Sequence, residues 1–451
     1  MLRKIFSYSV VEMVAKGLNK SILLLLPLLL STADYGRIGL IIAAELFLPV
    51  ITLLGLERAI LRFYSEKIRI PNFEASAYTG IRISHLFLLL IGVVLYISGV
   101  ERVFSLYVWP DIILLILLVY GQGYHAFVLR SLRVEEQHHR YFRARIINQI
   151  SKFVFVMGWV WVSLDYKAYL YGSIASILLT NLLFKPKDSL KVKNFDGRTF
   201  KQLFIFSWPF VLHGIAGNLL SNADKFIIER YLGISDVGTY TLAYSFGSMM
   251  MFAYVVVGLY VEPLVYKQRD KRMRKTLLQK YLGITILAGV LLYLILSLSS
   301  HFIFPKIYRT SYAEAFEIIP LLSLLYLLYP FYLKNSYELI YQKRTLSLAF
   351  MSIGIAVIGL LLNIWLIPFW GLKAPVYVLG LSIWLRSLGF NLLVNNFHMN
   401  GESWLLMVLL IIIAGILYLN IDSLYIGGAL LLMGLVFIRK KWINSLKEII
   451  S

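Results

Sequence analysis

The sequence predicts an all-α integral membrane protein with about fourteen transmembrane helices. Of its 451 residues, 59% are hydrophobic and only 15% are charged, which leaves too little polar surface to cover a soluble protein of this size. Apolar runs long enough to cross the hydrocarbon layer as helices recur along the whole chain. The first run leads directly into a second one without a small-residue cleavage site, so we expect it to stay attached.

The connections between the expected spans alternate in charge. Most of the 44 Lys and Arg residues fall in one set of connections, such as 58–69, 130–145 and 267–280. The opposite set holds few, among them Arg37 and Lys306. The positive-inside rule therefore places the basic set and both termini in the cytoplasm. The expected spans are 8–30, 37–57, 80–99, 111–129, 148–164, 168–184, 203–231, 237–265, 281–300, 316–333, 346–367, 374–396, 404–419 and 424–438.

The chain also repeats itself. Asp-Tyr-Gly at 34–36 is echoed by Asp-Val-Gly at 236–238, each just after an unusually long span, and Gly92 to Tyr96 resembles Gly289 to Tyr293. A repeat of six spans crosses the membrane an even number of times, so its two copies should be related by an axis along the membrane normal. We predict two pseudo-symmetric six-helix lobes. The divisions are an N-lobe at 1–184, a basic cytoplasmic linker at 185–202, a C-lobe at 203–397, and two additional spans with a cytoplasmic tail at 398–451.

The first span carries a charged stripe. Glu12, Lys16 and Lys20 are four residues apart and share one helix face. A charge at bilayer depth costs at least ~2.5 kcal/mol, so the stripe should face protein or a polar cavity. The alternative is that Glu12 and Lys16 lie near the cytoplasmic headgroups, where a lysine stem can snorkel. The repeat places Asn218 and Asn222 of the seventh span at the positions of the two lysines.

Several function classes are excluded or disfavoured by what the sequence contains. It has no cysteine, which excludes disulfides, thiolate metal sites and cysteine nucleophiles. It has no glycine-rich phosphate loop, zinc-type His-Glu spacing or GxSxG elbow. The net charge of +20 follows membrane topology and is no sign of nucleic-acid binding. We expect no metal, no cofactor and no catalytic residues.

Two stretches resemble a known superfamily. LSTADYGRIGL at 30–40, followed by LGLERAILRFY at 54–64, resembles the opening of polysaccharide exporters of the multidrug/oligosaccharidyl-lipid/polysaccharide superfamily. The run at 207–245, with Pro209 and Gly233, resembles its second-half partner. The resemblance covers nearly all of the chain. It implies two six-helix lobes around a central cavity that opens alternately to each side of the membrane.

Within this superfamily the chain resembles bacterial O-antigen and capsule-repeat translocases. The resemblance implies a non-enzymatic flippase in the bacterial cytoplasmic (inner) membrane that moves an undecaprenyl-diphosphate-linked oligosaccharide to the outer leaflet. Because no nucleotide site is present, a proton or sodium gradient would drive it. The implied partners are the polyprenyl-diphosphate-linked oligosaccharide, membrane lipids and other polysaccharide-assembly membrane proteins. Many members have twelve spans, so the last two here are an addition.

The candidate site residues follow from the substrate, because a diphosphate needs compensating cations in a low-dielectric site. Asp224 and Lys225 could equally form a structural ion pair or a hydrogen-bonding device in the seventh helix. The arginines that begin cytoplasmic loops either set topology or line a portal. The acidic groups either carry protons or neutralise nearby lysines. The substrate-binding candidates are Lys16, Lys20, Arg82, Lys152, Lys225, Asn218 and Asn222; the portal candidates are Arg58, Arg130 and Arg133; the ion-coupling candidates are Glu12, Glu45, Glu57, Asp224 and Glu262.

Three other functions compete with this interpretation. A multidrug or cation antiporter of the same superfamily would favour an apolar cavity with acidic groups, whereas the charged residues of the first lobe here are mainly basic. A membrane polysaccharide polymerase or ligase usually carries a large external loop, and the external connections here are short, at most about 15 residues. A scaffold without transport would leave charges deep in the helices unexplained.

The topology predicts the accessibility of two introduced cysteines. Ser189→Cys lies in the basic linker, so a membrane-impermeant maleimide should label it only after the cells are permeabilised. Ser311→Cys lies in an expected external connection and should be labelled in intact cells. The native chain has no cysteine, so it serves as the unlabelled control, and the reverse labelling pattern would overturn the topology.

Overall fold

The computed structural model describes residues 2–56, 59, 72–135, 137–184 and 195–418, and this part of the chain is almost entirely helical. A two-stranded antiparallel hairpin is formed by β1 (Arg102–Val103) and β2 (Leu106–Tyr107). The helices are α1 (Leu2–Leu29), α2 (Thr32–Thr52), α3 (Phe73–Ile97), α4 (Ile113–Val134), α5 (His138–Ser163), α6 (Lys167–Leu183), α7 (Gly197–Tyr231), α8 (Ile234–Gly247), α9 (Met249–Lys267), α10 (Lys271–Phe302), α11 (Phe304–Ile307), α12 (Ala313–Tyr326), α13 (Tyr329–Tyr341), α14 (Thr345–Trp370), α15 (Lys373–Val394) and α16 (Gly401–Tyr418).

The all-α membrane class is confirmed. Among the described residues, nine stretches are long and apolar enough to cross a membrane by length and composition. A helix overlaps every predicted span up to the thirteenth, 404–419, and the last one, 424–438, lies outside the described residues. The total of fourteen spans therefore stays a prediction.

Two predicted spans are each divided into two helices. The eighth, 237–265, is interrupted at Ser248 between α8 and α9. The tenth, 316–333, is interrupted between α12 and α13, where Pro330 lies in the first turn of α13. Proline has no backbone N–H to donate to the preceding turn, so it favours a helix start at this place. Hydropathy alone did not predict these interruptions because it is averaged over a window longer than the break.

The helices group into two compact units, Met1–Thr241 and Leu242–Ser451. One core cluster of the first unit joins α3, α4 and α7 to residues that follow α2. In the second unit, α9, α10 and α13 enclose a cluster around Tyr281 and Tyr337. The seventh span thus belongs to the first unit. The predicted relation of spans 1–6 to spans 7–12 stays a prediction.

Within the first unit, the starts of α2 and α8 cross at two glycines. A Cβ on Gly36 would lie 2.0 Å from the carbonyl oxygen of Ile234, and a Cβ on Gly238 would lie 2.0 Å from that of Thr32. Gly36 and Gly238 are matching positions of the two sequence repeats, as are Thr32 and Ile234. Each glycine therefore makes with the opposite repeat the contact that the other glycine makes. Such a reciprocal contact is typical of a local two-fold relation. This contact explains why both copies of the motif contain glycine at this position, because only glycine allows the backbones to approach this closely.

The neighbouring residues of the first motif begin α2. The Ser31 hydroxyl oxygen accepts a hydrogen bond from the backbone N–H of Asp34 at 3.1 Å, and so caps the helix. Arg37 lies 2.9 Å from the Asp34 carboxylate. The buried Tyr35 donates its hydroxyl to the carbonyl of Leu23 in α1 at 2.8 Å. The motif therefore joins α1 to α2 and positions the glycine crossing.

We expect Gly36→Ala to destabilise the protein, because the new methyl group would overlap backbone that has no room to move. Overpacking of this kind costs about 1–3 kcal/mol, which thermal unfolding of the purified protein would measure as a lowered melting temperature. Gly158→Ala is the matched control, since a Cβ at this α5 position meets nothing within 4 Å. Equal melting temperatures for the two variants would contradict the close crossing.

Candidate substrate-binding site

The structure brings Lys20 of α1 close to Lys225 of α7. Lys20 is half-buried and Lys225 is buried. The two ammonium groups lie near enough to repel each other electrostatically. Two like charges at this depth raise the local positive potential far more than they would in water. An anion held between α1 and α7 would be attracted by both lysines.

The α7 face beside Lys225 carries two asparagines one helical turn apart. The Asn222 side chain is buried, and its Nδ2 donates to Asn218 Oδ1 at 3.4 Å. Asn218 Nδ2 donates in turn to the carbonyl oxygen of Gly214 at 3.1 Å. These amides form a polar strip along α7 without adding charge.

Asp224 has a clear structural role in the first unit. Its buried carboxylate accepts a hydrogen bond from the Tyr240 hydroxyl at 2.5 Å and another from the backbone N–H of Lys225 at 2.9 Å. The Tyr240 contact joins α7 to α8. Asp224 also lies close enough to Lys225 to attract its ammonium group. These contacts fit both alternatives given for this residue pair, a structural ion pair and a hydrogen-bonding device in the seventh helix.

A second polar cluster surrounds Glu45 of α2. Lys152 Nζ of α5 lies 3.3 Å from Glu45 Oε1, and both side chains are about nine-tenths buried. The Tyr169 hydroxyl of α6 donates to Glu45 Oε2 at 2.9 Å, while Lys152 donates to the same hydroxyl oxygen at 3.0 Å. Gln122 of α4 also donates to Glu45. Four helices thus meet at one neutralised ion pair.

Arg82 of α3 lies among aromatic side chains. Its guanidinium carbon is 4.4 Å from the centre of the Tyr78 ring, which suits a cation–π interaction. The phenol of Tyr120 also lies close enough to interact with it. Arg82 is half-buried, and its Nε has no hydrogen-bond acceptor among the described residues.

The remaining candidates are separate from these clusters. Lys16 is exposed on α1, Arg130 and Arg133 lie near the C-terminal end of α4, and Glu262 of α9 accepts a hydrogen bond from Tyr266 at 3.0 Å. A positive charge near a helix C-terminus interacts favourably with the helix dipole, so the two arginines have a structural reason as well. Glu57, Arg58 and the side chain of Glu12 lie outside the described residues.

Sequence reasoning missed Tyr169 and Gln122, which complete the Glu45 cluster. A search for charged residues inside spans cannot find them because neither is charged. A polar residue in the middle of an expected span was the available signal: Gln122 lies within 111–129, where an amide needs partners inside the protein.

The fold is similar to those of two solved membrane transport proteins. A solved structure of the lipid II flippase MurJ in an inward closed conformation aligns with a TM-score of 0.65 at 16% identity, covering 94% of this chain and 96% of that one. An inward-facing multidrug resistance MATE family transporter of the multidrug/oligosaccharidyl-lipid/polysaccharide (MOP) superfamily aligns with a TM-score of 0.61 at 14% identity, covering 85% and 95%. No curated protein matches the chain in sequence.

The sequence assigns the family. Residues 1–263 match the family model described as "Polysaccharide biosynthesis protein". This is more than half of the chain, which therefore belongs to that family. The resemblance inferred from the motifs at 30–40 and 207–245 is confirmed.

The Glu45–Lys152 pair predicts non-additive effects of substitution. Glu45→Gln or Lys152→Met alone should destabilise the protein by about 3–5 kcal/mol, because each leaves a buried charge without its partner. The double variant should recover most of this loss, since both charges are then absent. Thermal unfolding of the three purified variants checks the prediction. If the two single effects simply add in the double variant, the two side chains do not interact.

Proposed function

We propose that the protein is a flippase for a lipid-linked oligosaccharide. It would carry an undecaprenyl-diphosphate-linked repeat unit of an O-antigen or capsule from the cytoplasmic to the outer leaflet of the bacterial inner membrane. The observation that carries the proposal is the juxtaposition of Lys20 and Lys225 at membrane depth in a member of a polysaccharide biosynthesis family. A diphosphate is the part of such a substrate that needs this charge.

The mechanism follows from what each part of the substrate requires. The diphosphate carries several negative charges and cannot cross hydrocarbon without compensation. Lys20 and Lys225 supply that compensation, and Asn218 and Asn222 can donate hydrogen bonds to phosphate or sugar oxygens. The polyprenyl tail is apolar and can stay in lipid throughout. Alternating access would then expose this site to each side of the membrane in turn.

The Glu45 cluster is a candidate for coupling to a proton gradient. Protonation of Glu45 would remove the charge that holds Lys152, and four helices would lose a shared ion pair. A change in charge at a junction of this kind can shift the balance between two helix arrangements. Asp224 and Glu262 each have a tyrosine hydroxyl as hydrogen-bond donor and are second candidates.

A MATE-like antiporter is the second candidate function, because the fold is also that of a MATE family transporter. A cation antiporter would bind its substrate with acidic groups. The candidate site here holds the two basic residues Lys20 and Lys225, which favour an anionic substrate and therefore the flippase.

Depletion of the protein tests the proposed function. Lipid-linked repeat units should accumulate in the cytoplasmic leaflet of depleted cells, where an external glycosidase cannot reach them. A polymerase would leave unpolymerised units on the outer leaflet instead. An antiporter would leave surface polysaccharide unchanged and alter drug resistance.

Lys20→Ala should lower export of the repeat unit at least tenfold while leaving the abundance of the protein in the membrane unchanged. Loss of one charge-assisted hydrogen bond costs about 1.5–3 kcal/mol, and 1.4 kcal/mol is a factor of about ten. Lys20→Arg should keep part of the activity, because the charge survives with altered geometry. Surface polysaccharide measured by immunoblot provides the readout.

Lys201→Ala is the matched control, since this lysine is exposed near the start of α7. It should leave export unchanged. Normal surface polysaccharide in Lys20→Ala cells would refute the role of Lys20.

A further inference from the structure

Arg386 is a charged residue of the second unit at membrane depth. It lies in the C-terminal half of α15, within the predicted span 374–396, and is half-buried. An ionised side chain at such a depth usually faces protein and has a function.

The neighbours of Arg386 are aromatic. Its guanidinium carbon is 5.5 Å from the centre of the Tyr332 ring, and the guanidinium lies close enough to Tyr329 to act on it electrostatically. Its Nε is buried without an acceptor, and no carboxylate of the described residues lies within salt-bridge distance of it. A guanidinium has five N–H donors, which an aromatic face cannot satisfy.

Other basic residues of the same unit do have carboxylate partners. Arg274 binds Glu338 through two contacts of 2.9 and 3.1 Å. Lys334 pairs with Glu402, and the exposed Lys373 lies 3.4 Å from its own glutamate, Glu317. These three cations are each paired with a carboxylate, whereas Arg386 has no such partner among the described residues. This difference makes Arg386 a candidate for binding an anion.

Two tyrosines next to Arg386 can supply further donors. The Tyr329 and Tyr332 rings lie 5.1 Å apart, and the fully buried Tyr254 ring is stacked on Tyr329 at 6.4 Å. The Tyr254 hydroxyl lies against Gly289 of α10, so this tyrosine supports Tyr329 from behind and does not reach a ligand. A guanidinium beside phenol groups is suited to an oxyanion, which can accept hydrogen bonds from both.

We propose that Arg386, with Tyr329 and Tyr332, binds an oxyanion of the transported substrate. The oxyanion is either the lipid diphosphate or the carboxylate of an acidic sugar. This inference rests on the proposed function and adds a site in the second unit to the lysines of the first. The tyrosine faces can also pack against a sugar ring while the guanidinium holds the anion.

Ligand-induced thermal stabilisation tests the site without transport. Geranyl diphosphate and glucuronate are added separately to the purified protein, and the half-saturating concentration of each is measured. Arg386→Gln should raise that concentration at least tenfold for the ligand that the site binds. A loss for geranyl diphosphate assigns the lipid diphosphate, and a loss for glucuronate assigns the sugar acid.

Lys373→Gln is the matched control, because it removes the same charge from the start of the same helix. It should bind both ligands as the native protein does. If Arg386→Gln does not fold, Arg386→Lys and Tyr332→Phe are measured instead, since the first keeps the charge and the second keeps the ring. Both should bind the affected ligand more weakly than native protein.

Unchanged binding in these variants, or no binding of either ligand by native protein, overturns the proposal. Its failure is distinct from failure of the proposed function. Depletion that leaves lipid-linked units unaltered refutes the flippase, whereas unchanged binding by Arg386→Gln with a normal depletion phenotype refutes only this site.

Discussion

Lipid hydrocarbon does not solvate ions, so every charge inside the spans needs a partner from the protein or from a substrate. The Glu45–Lys152 pair is the case where protein supplies everything: two charges and two neutral donors close one network across α2, α4, α5 and α6. Such a pair contributes little net stability, because desolvation offsets the attraction. Its effect is to fix which helices pack together.

The crossing of α2 and α8 answers a second constraint of the bilayer. Lipid tails are as apolar as the side chains of the helices, so the hydrophobic effect does not drive two helices together. Close backbone approach through small residues provides the attraction instead. Gly36 and Gly238 allow that approach, and the buried Thr241 fills the space beside Gly39. A close-packed contact of this kind resists small displacements, so the two helices either stay in contact or move apart completely. Such a contact would suit the alternating access that we propose.

The fold could be predicted largely from the sequence because each span is recognisable from about 20 apolar residues and from the charge of the residues that flank it. The interruption before Pro330 was not predicted, since hydropathy averages over a short break. Among the site residues, Lys20, Arg82 and Lys152 could be predicted because they are charged residues inside expected spans. Their partners were not predicted: Glu45 and Lys152 lie 107 positions apart, and only the packing of four helices brings them together.

The two repeats have diverged in a way that electrostatics explains. Both copies contain the glycine of the crossing, because a reciprocal contact needs a small residue on each side. The polar strip is not kept: lysines of α1 correspond to Asn218 and Asn222 of α7. Lys225 already lies beside Lys20, so further ammonium groups on α7 would add to the repulsion between the two lysines. Amides preserve the hydrogen-bond donors without that cost. The first unit thus keeps the two lysines that the proposed diphosphate substrate needs without adding further repulsion between its helices.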